Sequence, residues 1–196
     1  LSLGVNEDII HIPPKSMWSN RVFGEETIRI EAADKLHKLM VSTSDEYSLV
    51  SVGGTALGFN RNNDFIQWDD DIDLFAPIQM KKDLINIFDQ WNFRYEYNSH
   101  PKMAYLLFWI PLESGIEIDA CVKFFDATKK SFVDAFEDYR WEWPTKMFTQ
   151  YTQVEVHGKL MNVPNPPHKY LSEVFGSTWA MPNPEFGYSD YGGEIN

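Results

Sequence analysis

The 196-residue chain contains one cysteine, Cys121, so no internal disulfide, zinc cluster or iron–sulfur centre can form. A lone thiol of this kind reads as a small buried hydrophobe rather than a nucleophile. Basic residues are also scarce: 17 Lys and Arg stand against 29 Asp and Glu, a formal net charge of −12. That balance lacks the footprint of a protein that grips a nucleic-acid duplex or an anionic membrane. An anionic nucleotide remains compatible with it if a metal ion bridges the like charges. Apolar runs are short. The longest, Ala104 to Ile110, suits a buried strand and falls far below the roughly 18 residues of a membrane span. There is no internal repeat, no low-complexity tract and no N-x-S/T sequon. Glu7, Asp8, Pro13 and Pro14 near the start do not read as a signal peptide.

What is present describes one globular unit. Hydrophobic residues make up 43% and charged residues 23%, which excludes disorder as the main state. Aromatics reach 15%, with seven Trp, and predict a bulky core or an aromatic-lined cleft. We expect an irregular arm over residues 1–24, a folded domain over 25–182 and coil over 183–196. Ile28, Ala32, Leu36 and Leu39 predict a helix over Glu25–Met40. Met80, Leu84, Ile87, Phe88 and Trp91 predict a second, opened by Pro77. Strands are expected at Tyr47–Val52, Asp71–Phe75, Phe93–Tyr97, Met103–Ile110 and Gly115–Phe124, with a short helix over Thr55–Phe59. Phe132, Val133, Phe136 and Tyr139 suggest a further helix. Thr152–Val156 and Lys159–Val163 read as a hairpin turning at His157-Gly158, followed by a helix over Lys169–Phe175 closed by Gly176. The fold class is α+β, or mixed α/β.

Chemistry concentrates between Gly53 and Phe75. On a strand, alternate side chains share a face, so Asp69, Asp71 and Asp73 are expected on one side and Trp68, Asp70, Ile72 and Leu74 on the other. Carboxylates converging to about 5 Å repel by about 3 kcal/mol at an effective dielectric of 20. A divalent cation relieves that cost, because Mg²⁺ is held by one or two carboxylates together with substrate phosphates. A solvated acidic turn is the bland alternative, but the interleaved Ile72 and Leu74 oppose it. A calcium loop of EF-hand type is opposed by Leu74, which stands where that loop requires Gly. Gly53-Gly54-Thr55 lies where a strand passes into a helix, a place where backbone N–H groups can approach a phosphate. Arg61 follows within reach of a phosphate, which it could bind bidentately, the alternative being a plain surface Arg. Gly115–Ala120 offers a third carboxylate, Asp119 by preference with Glu117 in reserve, the open alternative being that both line the solvated face of an edge strand. The five histidines, His11, His37, His100, His157 and His168, show no metal spacing. Trp141-Glu142-Trp143-Pro144 reads as packing rather than as a sugar platform.

Gly-Gly-Thr-x-Leu-Gly-x-x-Arg followed by Phe65-Ile66-x-Trp68-Asp69-Asp70-Asp71-Ile72-Asp73 resembles the LicD family of phosphocholine transferases and fukutin-type glycan phosphotransferases. Val163-Pro164, Tyr170-Leu171 and Phe175-Gly176 resemble its C-terminal signature. The resemblance implies a nucleotidyltransferase-like core of the polymerase-β type, with a central mixed sheet and flanking helices. It implies transfer of a phospho-alcohol from a CDP-linked donor to a glycan acceptor hydroxyl. Asp71, Asp73 and Asp119 would hold Mg²⁺ or Mn²⁺. Gly53, Gly54, Thr55, Gly58 and Arg61 would bind the donor, and Asp69 or Asp119 would take the acceptor proton. Two alternatives stay open: a nucleotidyltransferase attacking an NTP α-phosphate, and a non-catalytic module binding a metal-loaded sugar phosphate. In this family the compartment follows the source, Golgi lumen for eukaryotic members and cytosol for bacterial ones.

Overall fold

A computed structural model describes residues 22–43, 46–99, 103–136, 139–182 and 190–195. The expectations for the arm before residue 22, for His11 and His100, and for residues 183–189 lie outside them. Among the described residues no helix is long and apolar enough to cross a membrane.

A five-stranded sheet forms the centre. Its strands are β1 (Val50–Ser51), β2 (Asp71–Pro77), β3 (Arg94–Asn98), β4 (Tyr105–Pro111) and β5 (Glu117–Phe125), in the order β1-β2-β5-β4-β3. β2 and β5 run parallel and every other neighbouring pair is antiparallel, so the sheet is mixed as expected. The β-rich periodicity of Ile72, Leu74, Leu106, Phe108, Ile110, Ile118 and Val122 sends these side chains to one face, where all are buried. Helices α1 (Glu26–Ser42) and α3 (Lys81–Trp91) cover that back face. The residues the spacing marks on α1, Ile28, Ala32, Leu36 and Leu39, are buried together with Ala33 and Met40; on α3 Leu84 and Phe88 are buried and Ile87 and Trp91 half-buried. Phe88 stacks on Phe108 of β4 at 4.6 Å between ring centroids. Each such fully buried side chain contributes roughly 1.5–3 kcal/mol of transfer free energy. Arg29 is the one charged side chain of α1 drawn inside. It donates to Asp64 at 2.9 Å, and the other oxygen of Asp64 lies 2.7 Å from His157 Nε2. His157 sits at the expected turn, φ +49, between β8 (Thr152–Val156) and β9 (Lys159–Val163), so one carboxylate ties that hairpin to α1.

The front face is shared between a second core and an open region. Phe75 and Phe125 project from β2 and β5 into a cluster with α2 (Gly53–Asn62), α4 (Lys146–Thr149) and α5 (Pro167–Phe175). The predicted helix through Phe132 and Tyr139 is instead two antiparallel strands, β6 (Ser131–Phe136) and β7 (Tyr139–Pro144), with Phe132 paired to Trp143. Four apolar residues at near-helical spacing are outweighed here by aromatic and β-branched side chains that pack across strands. Phe132 also stacks on Phe125 at 4.6 Å, a contact that no local pattern encodes. Trp141 and Trp143 are buried packing residues, as read from the sequence. Near the C-terminus, β10 (Glu194–Ile195) pairs with β7 where coil was expected. Phe23, at the end of the expected arm, is fully buried and stacks on Phe65 at 4.4 Å.

Candidate functional site

The alternation holds within β2: Ile72 and Leu74 anchor in the back core, which leaves Asp71 and Asp73 on the front. β5 adds the third carboxylate through register, with Asp119 opposite Asp71 and Cys121 opposite Asp73. The reserve candidate, Glu117, is engaged elsewhere, 2.7 Å from Arg94 Nη2. Register thus brings Asp119 level with Asp71, while Glu117 pairs with Arg94.

The alternation fails before β2 begins. Asp69 closes a turn by donating its N–H to Ile66 O at 3.0 Å, so residues 69 and 70 are not in strand. Asp70, expected beside Ile72 and Leu74, is exposed instead. Carboxylate oxygens of Asp69, Asp70 and Asp71 lie within 4.8 Å of one another, close enough to share an ion. Strand periodicity could not reveal this, because it applies only inside a strand.

Three hydrogen bonds fix the Gly-Gly turn at the start of α2 over this acidic row. Val52 N–H donates to Asp73 O at 2.9 Å, Asp73 N–H to Thr55 Oγ1 at 3.0 Å, and Gly53 N–H to the Tyr170 hydroxyl at 2.9 Å. Gly53 has φ +55, and a Cβ there would stand 2.8 Å from Asp73 Oδ2. A Cβ on Gly54 would collide with Asp69 Oδ2. Both glycines thus let carboxylates approach the first turn of a helix, where the dipole favours negative charge. Among the first-turn N–H groups, which have no intrahelical acceptor, those of Gly54 and Thr55 have no partner among the described residues and can meet a ligand. Thr55 and Gly58 are buried. Thr55 uses its hydroxyl on the backbone of Asp73, and Gly58 allows Asp64 O to pass where a Cβ would be 2.6 Å away. Their place is in shaping the turn.

The electrostatics describe a site short of positive charge. Burial, then the charges of Asp73 and Asp69, push the Asp71 carboxyl well above the usual range. Burial, then Asp73 and Asp70, do the same to Asp69. Burial raises Asp73 too, against a downward pull from Lys123. Lys123, on the same face of β5, is held 2.9 Å from Asp134 Oδ1. Cys121 is half-buried and is pushed up to about 12, first by burial and then by Asp73, which favours the neutral thiol.

Arg61 is the other unbalanced group. Its guanidinium carbon lies 5.8 Å from the centroid of the Trp68 ring, and Nε and Nη2 are buried without a hydrogen-bond partner among the described residues. Unsatisfied buried donors are costly.

Sequence reasoning missed Asp70, Lys123 and the part played by Tyr170. Tyr170 lies inside the C-terminal signature, and its hydroxyl ties α5 to the glycine turn; nothing in the local sequence announces that contact across 117 positions.

The poly(U) polymerase Cid1 aligns with a TM-score of 0.41 and 13% identity, over 56% of this chain and 34% of that one. The lincosamide antibiotic adenylyltransferase LnuA aligns with a TM-score of 0.37 and 12% identity, over 60% and 69%. The chain spans about a third of the length of Cid1. No curated protein matches it in a sequence search. The family model described as "LicD/FKTN/FKRP, nucleotidyltransferase domain" matches residues 47–166, more than half of the chain and the whole of the acidic row, the glycine turn and β5. With a mixed central sheet, in-register carboxylates and a glycine turn in that span, the chain is a nucleotidyltransferase-like domain and belongs to the LicD/FKTN/FKRP family.

Proposed function

We propose that this domain is a metal-dependent phosphotransferase that moves a phospho-alcohol, such as phosphocholine or ribitol phosphate, from a CDP-linked donor to a glycan hydroxyl. The observation that carries the reading is the meeting of acidic row and glycine turn: Asp69 and Asp73 lie against Gly54 and Gly53, with Asp119 in register beside Asp71. Hard carboxylate oxygens suit Mg²⁺ or Mn²⁺, and the Asp69, Asp70 and Asp71 oxygens, within 4.8 Å of one another, give a cation a place at Asp71, with Asp73 next along the same face of β2 and Asp119 opposite on β5. Asp71, Asp73 and Asp119 would hold it. When bound, such an ion neutralises the donor pyrophosphate.

The chain's own residues supply the rest. The N–H groups of Gly54 and Thr55 and the guanidinium of Arg61 bind donor phosphate oxygens. Asp119 faces the acceptor hydroxyl and takes its proton, with Asp69 on the donor side against Gly54. The acceptor oxygen forms a bond to the distal phosphorus, the bond from that phosphorus to the bridging oxygen breaks, and CMP leaves in line. Positioning and electrostatics do most of the work, as in phosphoryl transfer generally.

Product identity tests the proposal. Incubation with CDP-ribitol, CDP-choline or CDP-glycerol, Mn²⁺ and acceptor glycans is expected to release CMP. Release of pyrophosphate from an NTP instead supports nucleotide transfer, and saccharide-phosphate binding without turnover supports a binding module.

A further inference from the structure

The front face of the sheet continues past the carboxylates. One cross-strand row reads Asp71 on β2, Asp119 on β5, Trp109 on β4 and Arg94 on β3. Neighbouring strands lie about 4.8 Å apart, so the indole stands one strand from Asp119 and two from Asp71. Of the six tryptophans among the described residues, Trp141 and Trp143 are in a core cluster and Trp68, Trp91 and Trp179 pack against one. Trp109 belongs to neither and is half-buried, whereas Phe108 and Ile110 on either side of it are buried in the back core. A large aromatic outside both core clusters and paired across strands with Asp119 is placed to meet a ligand.

Its surroundings are ordered and polar. The Arg94 guanidinium carbon lies 3.7 Å from the Trp109 ring centroid, and Arg94 Nη2 is 2.7 Å from Glu117 Oε2. Both charged side chains are about half exposed, so the pair is worth little to stability. It lays the guanidinium over one face of the indole and sets donors and acceptors at its rim, so a ligand would take the opposite face. A pyranose ring matches that composition, with C–H groups on one face to stack on the indole and hydroxyls around its rim.

Direction decides which substrate this is. The donor phosphates belong on the β1–β2 side, at Gly53 and Gly54. In-line displacement brings the attacking hydroxyl from the side opposite the departing CMP, which points toward β5 and β4. Resting on the transfer reading above, we propose that Trp109, Arg94 and Glu117 form the acceptor subsite, stacking a pyranose residue so that its attacking hydroxyl reaches Asp119.

The test separates acceptor from donor. Saturation-transfer NMR with methyl glucoside, galactoside, N-acetylglucosaminide and N-acetylgalactosaminide is recorded on protein holding CDP-ribitol and the diamagnetic Mg²⁺. CDP-ribitol affinity is measured in parallel by calorimetry. At least one glycoside is expected to bind; Trp109→Ala weakens it by about tenfold or more, Trp109→Phe by less, and both keep donor affinity within about twofold. Arg94→Gln is expected to weaken the glycoside as well. Undiminished glycoside binding in Trp109→Ala overturns the proposal, as does the absence of any glycoside signal in the wild type. Loss of CDP-ribitol rather than glycoside in Trp109→Ala also overturns it, because the ring would then hold the nucleobase. Failure of the wild type to bind any CDP-alcohol, with glycoside binding at Trp109 intact, overturns the transfer reading and leaves a saccharide site.

Discussion

Asp71 and Asp119 stand directly opposite each other on parallel strands, and the next pair along, Ile72 and Ala120, is buried in the back core. Two carboxylates about 4.8 Å apart at the backbone are held together by a register that hydrophobic burial enforces. Packing on one face of the sheet thus sustains electrostatic repulsion on the other.

Neutralising one member of this row is expected to separate activity from folding. Asp71→Asn and Asp73→Asn keep shape and remove charge, and turnover should fall by about a hundredfold or more, the scale of losing one strong electrostatic contact at the reacting centre. The metal-free Asp71→Asn protein should melt at or above the wild-type temperature because repulsion is relieved. CMP release together with a melting curve checks both; near-normal turnover in either variant removes these residues from the reaction.

The same repulsion sets a pH dependence. Burial and neighbouring charge raise the folded-state pKa values of Asp69, Asp71 and Asp73 above those of the unfolded chain. Between the two sets of values the folded protein binds more protons, so stability falls as pH rises from the ordinary carboxylate range, about 4, through neutrality. Asp34, held down at about 2 first by hydrogen bonds from Lys159 and Lys38, acts in the opposite sense, but only below that range. In EDTA the melting temperature is expected to be higher at about pH 5.5 than at about pH 8, and Asp71→Asn should narrow the gap. A melting temperature that rises over this interval contradicts the electrostatic account.

Tyr170→Phe deletes the hydroxyl that receives the Gly53 N–H. A hydrogen bond of this kind contributes about 1 kcal/mol, and each kcal/mol moves the melting temperature of a domain this size by roughly 2–4 °C. The larger expected effect is on the donor, since the turn that faces its phosphates loses its tie to α5. The KM for the CDP-alcohol should rise while the affinity for a glycoside stays unchanged; an unaltered donor KM shows that α5 does not position the turn.

Arg61→Met removes a buried guanidinium whose Nε and Nη2 have no partner among the described residues. Replacing such a group by an apolar side chain is neutral or stabilising, so the melting temperature should hold or rise. Donor affinity should fall by about tenfold to a hundredfold, the worth of one or two hydrogen bonds to a charged group. Unchanged CDP-ribitol affinity by calorimetry rules Arg61 out as a phosphate ligand.

Much of this architecture is legible in the sequence because it is local or periodic. α1 and α3 follow from apolar spacing, the hairpin turning at His157-Gly158 from its turn residues, and the Asp71–Asp73 face from alternation with Ile72 and Leu74. Register between distant strands is not local, so the meeting of Asp119 with Asp71, and of Trp109 with Asp119, emerges only from the folded sheet. The β6–β7 pair was hidden for the same reason: Phe132 earns its place from Phe75 and Phe125, not from its neighbours in sequence. Asp70 was misplaced because strand periodicity was extended two residues beyond the strand.

The most direct test of the central claim is the melting temperature in the presence of CDP-alcohols, with and without metal. A ligand that binds only the folded state stabilises it by about 2.7 kcal/mol at a hundred times its dissociation constant. CDP-ribitol, CDP-choline or CDP-glycerol with Mn²⁺ should therefore raise the melting temperature by about 5 °C or more at saturation. With EDTA in place of Mn²⁺ the shift should vanish, because the row of Asp69, Asp70, Asp71 and Asp73 repels an unbridged pyrophosphate, and Asp71→Asn should lose it as well. No shift from any CDP-alcohol with metal present, or an equal shift in EDTA, contradicts metal-dependent transfer from a CDP-linked donor.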